Sequence, residues 1–279
     1  MKTLYISDLD GTLLDRNAEI TPKTAEIINS LIDTGMNFSI ASARTSETVG
    51  HILKELRLNI PIILMNGVCI FDTQTKTFIK AESIPQDSVY NMLNVFKKHN
   101  QTGFMYGLDD NKIRTYYENL DAPQRRSFYE ERVKKYNKKF TQVESFFDAA
   151  DKNIVYFSFW DKPEVVAPVY EALKNDPKIH IEYYSDVYVK DFMYLEICSN
   201  TASKRKAVEY LRHMYKFDKI VCFGDNHNDL PMLEASDFKI AVGNAKDEVK
   251  AKADIVIGKN TDNGVAEWLS VNAERHDQS

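Results

Sequence analysis

From residue 3 to about residue 72, short apolar runs alternate with longer stretches in which apolar positions recur every three or four residues. The runs read as strands and the periodic stretches as amphipathic helices. Thr21-Pro22 supplies an N-cap and a first-turn proline, Ile27, Ile28, Leu31 and Ile32 form one face, and Gly35 ends the helix. A second strand is predicted over 38–41 and a second helix on Val49, Ile52, Leu53 and Leu56. A third strand follows Pro61 as Ile62-Ile63-Leu64-Met65. Strands that are apolar throughout and alternate with helices imply a parallel sheet covered on both faces, with functional groups beyond the strands' C-terminal ends. Asp8, Ser42 and Asn66 stand at such ends.

The pattern changes near Glu82. A hairpin-like stretch (70–72 and 78–80) precedes a helix carrying Val89, Met92, Leu93 and Phe96, then short aromatic strands at 104–106 and 113–117. A charged helical stretch, a strand at 154–160, a helix at 165–173 and a strand at 179–184 complete this block. Its mixture of hairpins and helices predicts an inserted α+β domain. After about residue 193 the first pattern returns, with a strand at 194–198, a helix at 201–215 and an apolar strand at 220–223. A helix begins at 230–234, strands follow at 239–242 and 255–257, a last helix lies at 265–269, and 273–279 read as a loose tail. One α/β domain, residues 1–83 and 189–279, is thus expected to be split by an α+β domain at 84–188.

Composition narrows the class. The 279 residues suffice for two domains with sizeable cores, and 43% apolar with 28% charged content is that of a globular protein. A net charge of −5 argues against a general partner among nucleic acids or anionic membranes. No apolar run approaches the roughly 18 residues that span a bilayer, and the N-terminus lacks a signal-peptide pattern. Cys69, Cys198 and Cys222 each lie in an apolar segment without zinc-ligand spacing, which fits reduced packing thiols and a cytoplasmic location. The basic run from Arg125-Arg126 to Lys138-Lys139 is interrupted by Phe128, Tyr129, Val133 and Tyr136, so it reads as the solvated face of an amphipathic helix.

The chemistry gathers at strand ends. Tyr5-Ile6-Ser7 runs into Asp8-Leu9-Asp10-Gly11-Thr12-Leu13, two carboxylates at i, i+2 on one side of an extended chain. A solvated turn accounts for one Asp before Gly, but not for two acids capping a buried strand; those need a cation or a shared proton. Gly224-Asp225-Asn226-His227-Asn228-Asp229 forms a second acidic cluster after the 220–223 strand. Alone it reads equally as a helix N-cap; beside Asp8 and Asp10 it reads as an oxygen-rich cage for Mg²⁺. His227 reads as a surface histidine. Ser42, in Ile40-Ala41-Ser42-Ala43-Arg44, is either an anion-binding hydroxyl or a plain N-cap. Lys204 stands at a helix start, where the macrodipole disfavours a cation; it reads as paired with a nearby anion or, more commonly for such a position, as a solvated lysine.

These segments resemble, in order, the four motifs of the haloacid dehalogenase (HAD) superfamily of phosphotransferases, specifically its Cof-type branch. The matching residues are Asp8-Leu9-Asp10-Gly11-Thr12-Leu13, Ser42, Lys204 and Gly224-Asp225-Asn226-His227-Asn228-Asp229. Asn66-Gly67 and Ala241-Val242-Gly243-Asn244-Ala245 are similar to further stretches of that branch. The resemblance covers both halves of the split domain and implies a Rossmann-like, HAD-like core. The inserted block matches a C2-type cap in position and size, and nothing in it names a substrate.

By that resemblance, Asp8 is the nucleophile and forms an aspartyl-phosphate. Asp10 protonates the leaving alcohol and then deprotonates the hydrolytic water. The resemblance implies Mg²⁺ held by Asp8, the Asp10 carbonyl and Asp225, with Asp229 in support. Phosphate oxygens are expected at the Leu9 N–H, Ser42, the Ala43 N–H, Lys204 and Asn228. Three positions depart from the family: Ser42-Ala43 replaces Thr-Gly, Arg205 replaces a glycine and adds bulk and charge near the phosphate, and Ser7 replaces a small or apolar residue. The function expected is a Mg²⁺-dependent phosphatase of small phosphorylated metabolites, such as sugar phosphates or phosphorylated cofactors. A sugar phosphomutase is the alternative. A phospho-accepting signalling module is disfavoured by Asp10 and by the length of the chain.

Overall fold

The computed structural model describes residues 1–185, 189 and 191–273. Most of the tail expected at 273–279 therefore lies outside the described residues, as does position 188, where the inserted domain was expected to end. From the N-terminus run β1 (Thr3–Ser7), α1 (Pro22–Asp33), β2 (Asn37–Ile40), α2 (Ser46–Ile52), β3 (Ile62–Leu64), β4 (Cys69–Asp72) and β5 (Thr77–Ala81). Next come α3 (Gln86–Lys98), β6 (Phe104–Asp109), β7 (Lys112–Tyr117), α4 (Pro123–Tyr136), β8 (Phe140–Gln142), β9 (Ile154–Asp161) and α5 (Pro163–Leu173). β10 (Ile179–Ser185) and β11 (Met193–Ser199) precede α6 (Lys204–Tyr215), β12 (Lys219–Gly224), α7 (Leu230–Glu234) and β13 (Phe238–Ala241). α8 (Asp247–Lys252), β14 (Ile255–Val256) and α9 (Gly264–Asn272) close the chain. Two compact units result, one from Met1–Lys80 with Ser203–Ser279, the other from Ala81–Ala202.

In the first unit five strands make a parallel sheet in the order β14-β13-β12-β1-β2. Every residue of β1 is buried, as a strand covered on both faces requires. Ala41 bridges to Ile63 in parallel, which carries β3 alongside β2, and β3, β4 and β5 form their own three-stranded sheet. α1 begins as its sequence predicts, with the Thr21 hydroxyl accepting from the Thr24 N–H at 3.1 Å. Ile28 and Leu31 are buried beneath it, and Gly35 leaves it at φ +98°. The chain leaves β1 towards β2 on one side and later returns to β12 on the other. The C-terminal ends of β1 and β12 therefore flank the point where strand order reverses, the usual ligand crevice of such sheets.

The second unit holds a six-stranded sheet in the order β10-β11-β9-β6-β7-β8. One face packs on α3 and α5 through a core that includes Phe96, Met105, Phe157, Phe159, Val169, Leu195 and Ile197. Here the domain limits expected from sequence need correction. The strand expected at 194–198 as part of the parallel core is β11, which pairs antiparallel with β9 and β10. Its alternation explains this: Leu195 and Ile197 enter the core, while Tyr194 and Glu196 point to the opposite face.

The basic run is also divided. α4 covers most of it and lays Phe128 on Phe104 with ring centroids 4.8 Å apart, but Asn137 ends the helix in the left-handed conformation. Lys138 is therefore not on a solvated face; it is buried, with its ammonium 4.8 Å from the Tyr106 ring centroid. β8 and α8 have no counterpart among the expected elements; they are three and six residues long, too short to show a period.

Phe157 has no exposed surface and meets Phe96 edge-on at 5.2 Å. Phe157→Ala is expected to cost about 3–5 kcal/mol, measurable as a shift of the urea unfolding transition of the second unit followed through Trp160.

Candidate active site

Asp8 follows the last residue of β1, and its N–H continues the ladder to β12 by donating to the Phe223 carbonyl at 3.0 Å. The Ser7 hydroxyl donates to the Asp8 carbonyl at 2.7 Å, so the departure at position 7 is a satisfied buried polar group. Asp225 follows β12 on the neighbouring strand. Asp8, Asp225 and Asp229 each present a carboxylate oxygen, and these atoms all lie within 4.8 Å of one another. The two acidic segments thus meet through Asp8, Asp225 and Asp229, and the Asp10 carboxylate is not among the three.

Lys204 closes the cluster. Its ammonium, fully buried, donates to Asp8 Oδ1 and to Asp229 Oδ1, each at 2.7 Å. The anion expected beside a cation at this helix start is thus a pair of carboxylates. Ser203 caps α6 by accepting from the Lys206 N–H at 3.1 Å, which fixes where Lys204 emerges. Gly67, at φ +99°, packs against the same helix start; a Cβ there would stand 2.2 Å from the Ser203 carbonyl. Met65, Asn66 and Gly67 all have positive φ, so the turn after β3 takes a costly backbone path to reach α6.

Asp229 is saturated rather than open. Besides Lys204 on Oδ1, its Oδ2 accepts from the Asp225 and Asn226 N–H groups at 2.9 and 3.0 Å. Asp225 Oδ1 accepts from the Thr12 hydroxyl at 3.0 Å, and Gly11 fits beside it only because it lacks a side chain. A Cβ on Gly11 would lie 2.4 Å from Asp225 Oδ2, and φ there is +83°.

The electrostatics follow from burial. Desolvation, then the Asp229 carboxylate, pushes the Asp8 carboxyl well above the usual range, and Lys204 opposes this only in part. Desolvation and Asp229 likewise push Asp225 up to about 6, against the Thr12 hydrogen bond and Lys204. Burial alone would lower the Lys204 ammonium, but Asp229 and Asp8 reverse that and hold it above the ordinary lysine value. Three carboxylates around one ammonium leave the cluster short of positive charge, and hard oxygen donors of this kind suit a small divalent cation such as Mg²⁺.

The remaining expected residues sit around this cluster. Leu9 is buried in the loop that follows Asp8, and Asp10 is exposed one residue on. Ser42 is buried beyond β2, and its hydroxyl accepts from the Arg44 N–H at 3.2 Å. It is not a helix N-cap, since α2 starts at Ser46 with Thr45 in that position. Ala43 is exposed beside it. Asn228 donates to Asn66 Oδ1 at 3.3 Å, joining the loop after β12 to the turn after β3. Arg205 is exposed and turns along α6 to Glu209 at 3.0 Å. The i, i+4 acid draws it there. His227 is a surface residue, 2.8 Å from Glu248.

Sequence reasoning gave no role to four residues that hold the loop after Asp8. Thr12 braces Asp225, as above. Asn244 donates to the Gly11 carbonyl at 2.7 Å and accepts from the Asn260 N–H at 3.0 Å; Asn260 donates to the Leu14 carbonyl at 2.8 Å. Arg44 donates to both oxygens of Asp10, at 2.7 and 2.6 Å. Asn244 lies in a stretch whose family likeness was legible; for Arg44 and Asn260 no local pattern marks the partner.

Comparison with known proteins agrees with this geometry. A family model described as haloacid dehalogenase-like hydrolase matches residues 5–269. The pyridoxal phosphate phosphatase YbhA of Escherichia coli is 28% identical over 94% of this chain and 95% of its own. A 5-amino-6-(5-phospho-D-ribitylamino)uracil phosphatase of Bacillus subtilis, YwtE, is 27% identical over 96% of this chain and 97% of its own. The crystal structure of TM0651 from Thermotoga maritima superposes with a TM-score of 0.80 at 25% identity, covering the whole of both chains. With the convergent acids, the buried lysine and this match over nearly its full length, the chain belongs to the haloacid dehalogenase-like hydrolases.

Proposed function

We propose that Asp8 is the nucleophile by which this phosphoric monoester hydrolase releases phosphate from small phosphorylated metabolites, with Mg²⁺ as cofactor and Asp10 as acid and base. The observation that carries the reading is the Lys204 ammonium held between Asp8 and Asp229, with Asp225 alongside, at the crevice between β1 and β12. In the first transfer an Asp8 oxygen attacks phosphorus, and the bond from phosphorus to the alcohol oxygen breaks as Asp10 gives that oxygen its proton. In the second, Asp10 takes a proton from water, whose oxygen attacks phosphorus and frees the Asp8 carboxylate. The Leu9 and Ala43 N–H groups, the Ser42 hydroxyl, Lys204 and Asn228 hold the phosphate oxygens.

Asp8, Asp225 and the Asp10 carbonyl would hold the Mg²⁺, with Asp229 supporting them through the hydrogen bonds it already makes. When bound, the ion supplies positive charge that lets an anionic carboxylate approach an anionic phosphate. The relatives named for pyridoxal phosphate and for 5-amino-6-(5-phospho-D-ribitylamino)uracil support phosphorylated cofactors and phosphorylated sugar derivatives as the substrate class. Among the described residues no helix is long and apolar enough to cross a membrane. The three buried cysteines form no disulfide, which supports a cytoplasmic location.

A panel of phosphorylated metabolites is the direct test. Inorganic phosphate is expected from at least one monoester with Mg²⁺, lost with EDTA and restored by added Mg²⁺; turnover indifferent to EDTA would remove the cofactor assignment. Asp8→Asn is expected to abolish steady-state phosphate release while the thermal unfolding midpoint stays near that of the wild type; retained turnover would remove Asp8 as nucleophile. Lys204→Ala is expected to lower kcat by on the order of 10²–10³. It also leaves two buried carboxylates without their partner, so thermal unfolding should show a lower midpoint, by a loss of about 3–5 kcal/mol.

A further inference from the structure

Asp10 is not one of the three clustered acids. Its side chain is 50% exposed and turns to the loop after β2, where the Arg44 Nε–H and Nη2–H donate to its two carboxylate oxygens at 2.7 and 2.6 Å. A two-point fork of this kind fixes the plane of a carboxylate as well as its distance. The guanidinium is itself well supported, because the Arg44 side chain is only 20% exposed. Its backbone is tied on both sides: the N–H donates to Ser42 Oγ at 3.2 Å, and the carbonyl accepts from the Met65 N–H at 3.2 Å. The rigid partner is thus the turn that carries Ser42, and the partner in need of restraint is a half-exposed aspartate on the loop after β1.

We propose that Arg44 is a positioning residue for Asp10. It holds the Asp10 carboxylate on the loop that carries Ser42 and so keeps it aimed at the oxygen of the departing alcohol. This rests on the reading of Asp10 as acid and base. An exposed aspartate samples several rotamers, and a general acid displaced by about 1 Å can lose a factor of about 10² in rate. An ordinary surface ion pair contributes about 0–1 kcal/mol and would leave the leaving-group dependence of the reaction untouched. A guanidinium that bound the substrate phosphate directly would act on every monoester alike.

Leaving groups separate these readings. 4-Nitrophenyl phosphate departs as a stable phenolate, whereas glycerol 2-phosphate requires a proton on its departing oxygen. kcat/KM covers only the steps through loss of that group, so the second transfer does not enter. In Arg44→Gln, kcat/KM is expected to fall about tenfold more for glycerol 2-phosphate than for 4-nitrophenyl phosphate, the same direction of split as in Asp10→Asn. A crystal structure of Arg44→Gln is expected to show the Asp10 carboxylate rotated from its place beside residue 44.

Equal losses on the two esters, a rise in KM alone on both, or an unmoved Asp10 would overturn the proposal. Arg44→Lys, which keeps the charge and loses the fork, carries the same expected split should the glutamine variant fail to fold. A wild type that released phosphate from no monoester of the panel would remove the phosphatase reading. The orientation of Asp10 in the variant would still decide the role of Arg44.

Discussion

Three carboxylates meet where β1 and β12 end, and the Lys204 ammonium lies between two of them, out of water. Withdrawing such ions from solvent costs several kcal/mol each, and close, well-aimed hydrogen bonds are what offset it. Much of the surrounding backbone is shaped by that requirement. α6 must begin where its first residue can reach both Asp8 and Asp229, so Ser203 caps it there and Gly67 lets the turn after β3 press against its start. Asp229 in turn spends its second oxygen on the N–H groups of Asp225 and Asn226, which fixes the loop after β12. The lysine thereby ties three chain segments together, and the charge it cannot balance is what makes the cluster receptive to a divalent ion.

The parallel half of the fold was legible because its strands are apolar throughout and its helices carry caps, as at Thr21-Pro22. The acidic pairs were legible because carboxylates at the ends of buried strands have no cheap structural explanation. The chain's second return point was not. Tyr194 to Cys198 contains enough apolar residues to pass for a core strand, and only the side each residue faces shows that it belongs to an antiparallel sheet. Lys138 misled for a related reason: a charge within a basic run looks solvated, yet the left-handed Asn137 turns the chain and sends that lysine onto the Tyr106 and Phe140 rings.

Within the site, sequence named the groups that carry charge and passed over those that hold them. Asn244, Asn260 and Thr12 contribute amides and a hydroxyl, residue types common in any loop, and their partners lie more than 200 positions away. Arg205 shows the converse. Its position beside Lys204 suggested a second cation at the phosphate, but one residue along a helix turns a side chain by about 100°, and acids on α6 and α7 take it.

Because the parallel sheet is built from two stretches of chain separated by the second unit, its assembly has an order imposed by synthesis. β1, with Asp8 after its last residue, is made well before its partner β12, and 196 residues separate Asp8 from the lysine that pairs with it. Through that interval one edge of β1 has no strand beside it, and the nascent segment carries the Asp8 carboxylate without its counter-charge. A chain truncated before α6 lacks every partner of Asp8 in the acidic cluster. The acidic cluster therefore closes only once both stretches of the first unit have been made.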